Sequence, residues 1–426
     1  MKKRIKVLSV CTSDSIGGAA RAAYRIHKAV QKCGIDSRMF VKDKGTQDED
    51  VLALEQFLPT NPFYKVFDWV RTKVKNKWQH LIWRRYPRRT SFFMSDLRAE
   101  DIHGALDRFD YDILHLHWIN LRFFPLDQLP KDKHIVWTLH DSWPFCGICH
   151  YFLDCNGYTS GCGHCPHLAS DQENDLSRTV WKKKKKVYQS LDLHIVSPSR
   201  WLAECASKSL LFRDRSISVI PNCLDTDTFK PIAGAEICPE LHELKESFNG
   251  KSIVLCGAVS VSSDKIKGLS LFIDALHYLV EKGYSDRIGV IVFGSEETID
   301  TFPQGLSTYQ MGYLDNTEKL VSLYNISSVV AVPSYTEVFG QVASEAMSCG
   351  KPVVAFRCTG IQEVVDEECG YLAAPFSTED FAEGILWCLN NNQEGRLSAN
   401  ARNKVLNHYS PEVVGNLYSE LYKELV

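Results

Sequence analysis

Residues 332–355 read VPSYTEVFGQVASEAMSCGKPVVA, and this stretch decides the fold that the sequence predicts. It contains an apolar run that ends at Pro333, then a helical pattern, then Gly350 and Pro352, which stop the helix before a second apolar run. A strand, a loop, a helix and a further strand in this order are typical of a parallel sheet covered by helices. The stretch therefore predicts α/β structure.

The same alternation of apolar runs and helical patterns continues in both directions along the chain. Apolar runs of strand length occupy residues 4–10, 37–41, 112–117, 134–140, 192–197, 252–257, 287–294, 327–332 and 352–356. A turn-rich, polar stretch interrupts them at residues 219–250. Because 426 residues exceed what one hydrophobic core usually supports, we predict two domains, residues 1–224 and 225–408. A final helix over residues 409–426 is expected to return to the first domain.

Composition limits the class of protein. Hydrophobic residues make up 44% and charged residues 24% of the chain, as in ordinary globular proteins. The formal net charge of -3 argues against nucleic acid as a partner. We read no signal peptide at the start, and no run approaches the roughly 18 apolar residues that would cross a bilayer. Most of the 15 cysteines stand singly in apolar runs, so a reducing, cytoplasmic location is expected.

Residues 57–90 depart from the alternation. Nine Lys or Arg residues lie between Lys65 and Arg89, against the single acid Asp68, and aromatic residues are interleaved with them. One interpretation is a helix that lies on an anionic membrane and places the protein peripherally at the inner face of the plasma membrane. The other is a solvated helix that packs its aromatic side chains inward. The sequence leaves both interpretations open.

Two glutamates in the opening stretch indicate a ligand site. Glu337 lies at the entrance of the predicted helix, and Glu345 about two turns further, roughly 9 Å along the helix axis. The backbone N–H groups of Val338, Phe339 and Gly340 at the helix entrance favour a phosphate. Carboxylates beside a phosphate are explained if the ligand also carries hydroxyl groups, as sugars and ribose do. Taken singly, either acid is better explained as a helix cap or a surface residue.

One pattern covers the whole stretch and resembles the signature of retaining glycosyltransferase family 4: Pro-Ser-x-x-Glu-x-Phe-Gly-x-x-x-x-Glu-Ala-Met-x-Cys-Gly-x-Pro-Val-Val-Ala. The resemblance continues at Gly17-Gly-Ala, His115-Leu-His-Trp118, Thr138-Leu-His-Asp141, Ser197-Pro-Ser-Arg-Trp201, Ile220-Pro-Asn222, Lys267-Gly268 and Gly370-Tyr-Leu372. It extends to the colanic-acid and exopolysaccharide-type bacterial members. It implies the GT-B fold, in which two Rossmann-like domains face each other across a cleft. Residues 1–224 would then be the acceptor domain and residues 225–408 the nucleotide-sugar donor domain.

The resemblance implies roles for individual residues of the donor site. Glu345 would accept hydrogen bonds from the ribose of a nucleotide-sugar, and Glu337 from the transferred sugar. Lys267 would hold the diphosphate, together with the backbone N–H groups of Gly17 and Gly18.

Two further positions follow from the same resemblance. His140, at the end of a predicted strand, corresponds to a histidine that contacts the donor sugar in the family, and Asp141 is a second candidate. The family usually carries an Arg shortly after the first strand of its donor domain, but residues 256–267 contain none. We expect Lys265 to replace it. His115 and His117 are expected to point to opposite faces of their strand, which would keep them from sharing a ligand.

The implied activity is transfer of a sugar, with retention of anomeric configuration, to a saccharide or lipid-linked saccharide in cell-surface polysaccharide biosynthesis. No cofactor would be required for catalysis. The alternative outside catalysis is a catalytically weak nucleotide-sugar-binding or scaffold subunit of a polysaccharide assembly complex, which the missing Arg favours. An epimerase or a phosphorylase of the same architecture is the alternative among enzymes.

A cysteine-rich loop is predicted at residues 146–166. Two Cys-x-x-Cys pairs flank one further cysteine, a spacing that can enclose a structural zinc ion. A similar quartet in related colanic-acid-type transferases implies the ligands Cys149, Cys155, Cys162 and Cys165. Cys146, His150 and His164 compete with them. The other interpretation is a loop shaped by free or disulfide-linked cysteines.

Overall fold

The computed structural model describes residues 4–59, 61, 63, 66, 70, 73, 74, 77, 81–87, 94, 95, 97, 99, 102, 104–257, 265–295, 297–314 and 316–426. The chain forms two compact units. One consists of Met1–Ile220 with Gly415–Val426, and the other of Pro221–Val414. The division falls after Ile220, whereas the sequence suggested a boundary after residue 224.

The N-terminal unit is built on a parallel sheet of seven strands. The strands are β1 (Lys6–Ser13), β2 (Asp36–Asp43), β3 (Val51–Ala53), β4 (Ile113–Leu116), β5 (His134–Thr138), β6 (Asp192–Ser197) and β7 (Ile217–Val219). Their order across the sheet is β3-β2-β1-β4-β5-β6-β7. Among the described residues of this part of the chain, the helices with defined bounds are α1 (Gly18–Lys32), α2 (Leu176–Tyr188) and α3 (Arg200–Lys208), and residues 81–83 are also helical. Short 3-10 turns occupy Leu54–Phe57, Ala105–Arg108, Leu126–Gln128 and Gly157–Thr159.

The C-terminal unit is built on a parallel sheet of six strands. The strands are β8 (Ser252–Gly257), β9 (Ile288–Phe293), β10 (Ser307–Gln310), β11 (Val329–Val332), β12 (Val353–Phe356) and β13 (Gly370–Ala373). The helices are α4 (Pro239–Ser247), α5 (Leu269–Glu281), α6 (Thr317–Ile326), α7 (Gln341–Ser348), α8 (Ile361–Val364), α9 (Thr378–Asn391), α10 (Arg396–His408) and α11 (Pro411–Leu425). Short 3-10 turns occupy Gly234–Glu236 and Lys265–Lys267.

Strand order fixes where a ligand can bind in each unit. The C-terminal sheet runs β10-β9-β8-β11-β12-β13, so the direction of winding reverses between β8 and β11. In open parallel sheets, ligands bind beyond the carboxyl ends of the strands at such a reversal. The N-terminal sheet reverses in the same way between β1 and β4. The predicted α/β class, with two Rossmann-like domains, is confirmed.

Apolar packing on both faces of the C-terminal sheet explains why its central strands read as continuous hydrophobic runs. All six residues of β9 are buried. One core cluster joins one face of the sheet to α7, and a second joins the other face to α5 and α9. Six of the eight residues of α7 are buried, including one ionisable residue, Glu345.

The last helix, α11, packs in the N-terminal unit from Gly415 onward. A Cβ atom at Gly415 would lie 2.6 Å from the carbonyl oxygen of Ala29, so glycine allows α11 to approach α1 closely. Tyr418 and Tyr422 are fully buried on the same helix. Among the helices that the structure describes, none is both long enough and apolar enough to span a bilayer.

Candidate functional site

The candidate site of the C-terminal unit lies beyond the carboxyl ends of the adjacent strands β8 and β11. The loop after β8 reaches the turn Lys265–Lys267, and the loop after β11 leads into α7. The backbone N–H of Tyr335 donates to the carbonyl of Ile266 over 2.8 Å and ties the two loops together. Gly268 has φ +68, and a Cβ there would lie 1.9 Å from the carbonyl oxygen of Pro333. Only glycine therefore permits this contact.

The tied loops bring Lys267 and Glu337 together. Lys267 Nζ lies 2.6 Å from Glu337 Oε1, and the hydroxyl of Ser334 donates to the same oxygen over 3.0 Å. Both charged side chains keep partial exposure, 27% for Lys267 and 16% for Glu337. A ligand can therefore reach both groups from solvent.

A third strand end fixes the backbone of Glu337. Its N–H lies 3.0 Å from Thr359 Oγ1, and its carbonyl accepts from the N–H of Gly360 over 2.8 Å. Both partners follow β12, and Thr359 has φ 51, a left-handed conformation that is costly for a threonine. Thr359 and Ser334 were not predicted as site residues. Ser334 stands in the Pro-Ser-x-x-Glu part of the family signature, and the sequence signal of Thr359 is its place just after a strand.

Glu345 is buried behind this site, with 3% exposure, and it accepts a hydrogen bond from the hydroxyl of Tyr324 over 3.2 Å. The surface interpretation of Glu345 is therefore wrong. Since α7 begins at Gln341, Glu345 lies just over one turn into the helix, and the two turns expected from the sequence are also wrong. Burial raises the pKa of the neighbouring Cys349 to about 12, and the charge of Glu345 acts in the same direction.

The helix entrance predicted as a phosphate site is formed by the residues that precede α7. Gly340, with φ 102, is the residue immediately before the helix. Phe339 is buried and packs edge-on against Tyr409 at 5.1 Å between ring centroids, while Val338 packs against the core. These contacts anchor the N-terminal end of α7, where the helix dipole is positive.

Lys265 forms the start of the turn that carries Lys267, but its side chain lies outside the described part of the chain. Residues 258–264, where the family's Arg would be expected, also lie outside the described part of the chain. Half of the residues of the basic aromatic segment, residues 57–90, are likewise outside the described part of the chain. The predictions for Lys265 and for that segment therefore stay predictions.

In the N-terminal unit, Gly17 and Gly18 follow β1. Gly17 has φ 89 and stands immediately before α1, whose first residue is Gly18. The carbonyl of Gly17 accepts from the N–H of Arg21 over 3.2 Å, which starts the helix. The loop thus resembles the entrance of α7, because in both places a glycine with positive φ stands immediately before the helix.

Three histidines meet on one side of the N-terminal sheet. The rings of His115 and His117 lie 4.1 Å apart, and His117 Nδ1 lies 3.1 Å from His140 Nε2. The expectation that His115 and His117 point to opposite faces was wrong, because residues two apart in a strand share a face. Burial lowers the pKa of His115 to about 3 and that of His140 to about 4. Both imidazoles are therefore neutral near pH 7.

The buried His115 is fixed by hydrogen bonds to neighbouring elements. Its Nε2 lies 2.8 Å from Thr138 Oγ1, and its Nδ1 lies 2.7 Å from the hydroxyl of Tyr422 on α11. Thr138 Oγ1 in turn lies 2.9 Å from the hydroxyl of Tyr418. The last helix therefore takes part in positioning the histidines, which the sequence did not predict.

Asp141 lies next to His140 and is also buried. Its carboxylate accepts from the indole N–H of Trp118 over 2.7 Å and from the backbone N–H of Trp143 over 2.9 Å, and it lies 2.5 Å from His150 Nδ1. Burial acts to raise the pKa of Asp141, but the charge of His150 and these hydrogen bonds lower it below its ordinary value. The carboxylate therefore stays ionised.

Both ring nitrogens of His150 are occupied, since its Nε2 lies 2.7 Å from the hydroxyl of Ser95. His164 is exposed and its Nδ1 lies 2.7 Å from the carbonyl oxygen of Asp171. Neither histidine points to the cysteines as a competing metal ligand would. Ser95 was not singled out from the sequence.

The cysteine-rich loop brings its cysteines to one pocket, which is lined by Cys146, Cys149, Cys155, Cys162 and Cys165. None of the 15 cysteines, all of which lie in the described part of the chain, forms a disulfide. Among the residues that the structure describes, no three or more Cys, His, Asp or Glu side chains are grouped so that they could hold a metal ion. A hydrogen bond with Cys149 lowers the pKa of Cys165 to about 7 against the effect of burial.

Comparison with family models and curated proteins supports the interpretation of this architecture. A model described as Glycosyltransferase Family 4 matches residues 16–228, and one described as Glycosyl transferases group 1 matches residues 250–391. A putative colanic acid biosynthesis glycosyl transferase, WcaC of Escherichia coli (strain K12), is 25% identical over 270 residues, 61% of this chain and 62% of that protein. The D-inositol 3-phosphate glycosyltransferase of Mycobacteroides abscessus is 25% identical over 415 residues, 90% of this chain and 81% of that protein.

The matched regions span 62% of WcaC and 63% of the D-inositol 3-phosphate glycosyltransferase of Corynebacterium jeikeium. Solved structures share the fold over nearly the whole chain. The sucrose-phosphate synthase of Thermosynechococcus elongatus superposes with a TM-score of 0.63 at 20% identity, covering 99% of each chain. Anabaena Alr3699/HepE, solved in complex with UDP and glucose, superposes with a TM-score of 0.62 at 16% identity, covering 99% of this chain and 100% of that one. The solved structures show that the chain has the GT-B fold. Because the Glycosyltransferase Family 4 model matches residues 16–228, half of the chain, the chain belongs to that family.

Proposed function

We propose that the protein is a retaining glycosyltransferase, which moves a sugar from a nucleotide-sugar donor to a saccharide or lipid-linked saccharide in cell-surface polysaccharide biosynthesis. The observation that carries the proposal is the Lys267–Glu337 ion pair beside the entrance of α7, at the winding reversal of the C-terminal sheet. A cation, a helix N-terminus and two carboxylates together match a ligand that has both a diphosphate and hydroxyl groups.

Lys267 and the N-terminal end of α7 hold the diphosphate in this proposal. Lys267 pairs with Glu337 in the absence of donor, so the diphosphate replaces one carboxylate oxygen as the partner of the ammonium group. The charge that develops on the leaving diphosphate is then stabilised by groups already in place. No metal ion is required for this role, and Lys265 is proposed as an additional cation.

Glu337 and Glu345 select the hydroxyl groups of the donor. Once released from Lys267, Glu337 remains fixed through its backbone contacts with Thr359 and Gly360, and it accepts hydrogen bonds from the transferred sugar. Glu345, oriented by Tyr324, accepts from the ribose. Support for the nucleotide-sugar comes from HepE, which was solved with UDP-glucose, and from a trehalose-6-phosphate synthase, which was solved with UDP-2-fluoro glucose.

In the N-terminal unit, we assign His140 to the donor sugar, and Gly17 and Gly18 to the diphosphate through their N–H groups. All three follow the carboxyl end of a strand, which is where ligands bind in such sheets. His140 is neutral near pH 7 and can donate to or accept from a sugar hydroxyl.

In the transfer step, the bond between the anomeric carbon and the diphosphate oxygen breaks, and the acceptor oxygen bonds to the same face of the sugar. The acceptor's hydroxyl proton passes to the departing diphosphate. Configuration is thereby retained without a covalent enzyme intermediate. The proposed location is the cytoplasmic face of the plasma membrane, where residues 57–90 would contact anionic lipids.

The test uses the purified full chain and a panel of UDP-, GDP- and dTDP-sugars. The correct donor is expected to raise the melting temperature, because a ligand that binds only the folded state stabilises it. Transfer to a lipid-linked saccharide acceptor is then measured, and NMR of the product gives its anomeric configuration. An inverted product would overturn retention. Donor binding without transfer to any acceptor would favour the nucleotide-sugar-binding subunit instead.

A further inference from the structure

The cysteine-rich loop contains an arrangement that glycosyl transfer does not use. Its five cysteines are spread along the chain from Cys146 to Cys165, yet all of them line the same pocket. The loop is held at both ends, because the N–H of Ser142 donates to the carbonyl of His150 over 3.0 Å and the N–H of Cys165 donates to the carboxylate of Asp175 over 2.9 Å. The convergence of the thiols is therefore a property of the fold.

Backbone N–H groups point at two of the sulfur atoms. Gly157 N–H donates to Cys155 Sγ over 3.4 Å, and Gly147 N–H donates to Cys162 Sγ over 3.3 Å. These two bonds tie both sulfur atoms to the backbone of the loop that lines the pocket.

The turn between Cys162 and Cys165 is strained. Cys162 has φ 60 and His164 has φ 45, and the two glycines beside them, Gly161 and Gly163, also have positive φ. Left-handed non-glycine residues persist only where the surroundings hold them. Cys162 and Cys165, at the two ends of this turn, both line the pocket.

A buried cation lies directly under the loop. Lys184 is fully buried, and its ammonium group donates to the backbone carbonyls of Trp143, Cys146 over 3.1 Å and Gly147 over 2.9 Å. Burial lowers the pKa of Lys184 to about 7, while negative charge nearby, including that of Asp141, acts in the opposite direction. Four thiolates around a divalent ion carry a net charge of about minus two, which would compensate Lys184.

We propose that Cys149, Cys155, Cys162 and Cys165 bind one structural zinc ion, and that Cys146 is a spare thiol. Cys155 and Cys162 receive the N–H groups, and Cys149 and Cys165 are in hydrogen-bond contact with each other. The thiol of Cys146 bonds instead with Ser142. This choice of four ligands is not the one that spacing alone would give, because the two Cys-x-x-Cys pairs contain Cys146 and not Cys155.

Metal binding requires a contraction of the pocket. Around zinc, four sulfur atoms lie about 2.3 Å from the ion and therefore about 3.8 Å from one another. The free thiols do not form that shell. Metal binding would therefore require the four cysteine side chains to move closer to one another.

The zinc would act on the neighbouring network and not on substrate, because four thiolates leave no open coordination position. Cys149 is followed by His150, which lies 2.5 Å from Asp141. Asp141 in turn binds Trp118 and is adjacent to His140. The metal thus fixes the loop that orients this buried carboxylate.

The test is metal analysis of the full chain purified without chelators, with Cys155→Ser and Cys146→Ser as a matched pair. We expect about one zinc per chain in the unmodified protein and in the Cys146 variant, and loss of most of the metal in the Cys155 variant. Cobalt substitution should give the absorption bands of a tetrahedral thiolate site in the first two proteins and not in the third. A metal-bound Cys155 variant together with a metal-free Cys146 variant would overturn the proposed quartet.

A second measurement does not depend on the folding of variants. Titration of the folded, unmodified protein with a mercurial should release one equivalent of zinc, detected with a chromogenic chelator, as about four thiols react. A folded protein that contains no metal, and whose melting temperature is the same with and without added zinc, would overturn the proposal. The outcome is independent of transfer activity, so it is distinguishable from failure of the proposed function.

Discussion

Lys267 Nζ lies 2.6 Å from Glu337 Oε1, although the two residues follow different strands and are separated by two helices and three strands along the chain. Adjacent parallel strands place their carboxyl ends at one edge, and this edge is where the charges meet. The pair is partly exposed, so its contribution to stability is small, about 1 kcal/mol or less. The location of the Lys267–Glu337 pair is therefore better explained by ligand binding than by a contribution to folding stability.

Removal of either charge should therefore impair transfer more than folding. Lys267→Ala and Glu337→Ala are each expected to lower kcat about 100-fold or more, as loss of a preorganised electrostatic contact does. Lys319→Ala is the matched control, because Lys319 pairs with Glu240 over 2.9 Å on the same unit. Steady-state kinetics with the identified donor and circular dichroism melts measure both effects. Full activity in both site variants would refute the assignment.

Tyr324→Phe should weaken donor binding through Glu345. It removes the hydroxyl that lies 3.2 Å from Glu345 Oε2, at a cost of about 1 kcal/mol in stability. We expect KM for the donor to rise several-fold while kcat changes less. Tyr371→Phe is the control, since it removes a comparable hydrogen bond of 2.8 Å to Asp380 elsewhere. Equal effects of both variants on KM would show that Tyr324 acts only on stability.

Gly268→Ala should disrupt the junction of the two loops. The new methyl group would lie 1.9 Å from the carbonyl oxygen of Pro333, in a backbone conformation that already disfavours alanine. We expect a loss of about 3 kcal/mol or more. Gly283→Ala has a similar φ of +83 but nothing within 4 Å, so it should cost only about 1 kcal/mol. Urea unfolding of both variants gives the comparison, and equal losses would contradict the steric explanation.

Stability should fall as the pH drops from about 6.5 to about 4. Burial lowers the pKa of His27 and His140 from 6.5 to about 4, and that of His115 to about 3. Within this window the unfolded chain binds more protons than the folded chain, so acid favours unfolding. Thermal melts between pH 4 and pH 7 measure the slope. His27→Gln should reduce this slope, and a flat profile would contradict the burial of these imidazoles.

Neutralising Lys73, Lys75 and Lys77 should reduce sedimentation with liposomes that contain anionic lipid. Each basic residue near such a surface contributes about 1 kcal/mol, and salt should weaken the binding. The charge-matched control neutralises Lys182, Lys183 and Lys186, which are exposed on α2. Binding that is unchanged in the first variant would count against a membrane role for residues 57–90.

Secondary structure was predictable for most of the buried central strands and for the last helix. The sequence placed an apolar run at residues 252–257 and a final helix at residues 409–426, and the structure has β8 at Ser252–Gly257 and α11 at Pro411–Leu425. It missed β10, Ser307–Gln310, whose side chains are largely exposed. An edge strand of this kind is held by backbone pairing with β9, and it leaves no apolar pattern to read.

The sequence by itself determined the fold class, the family and the identity of the charged groups, because those follow from local patterns around residues 332–355. Only the tertiary structure decided which groups meet. Ser334 and Thr359 bind Glu337, Tyr324 binds Glu345, and Tyr422 reaches His115 from the end of the chain. These contacts depend on strand order and on close approach between segments distant in sequence. No pattern of periodicity encodes such contacts, since each one is the result of packing the whole unit.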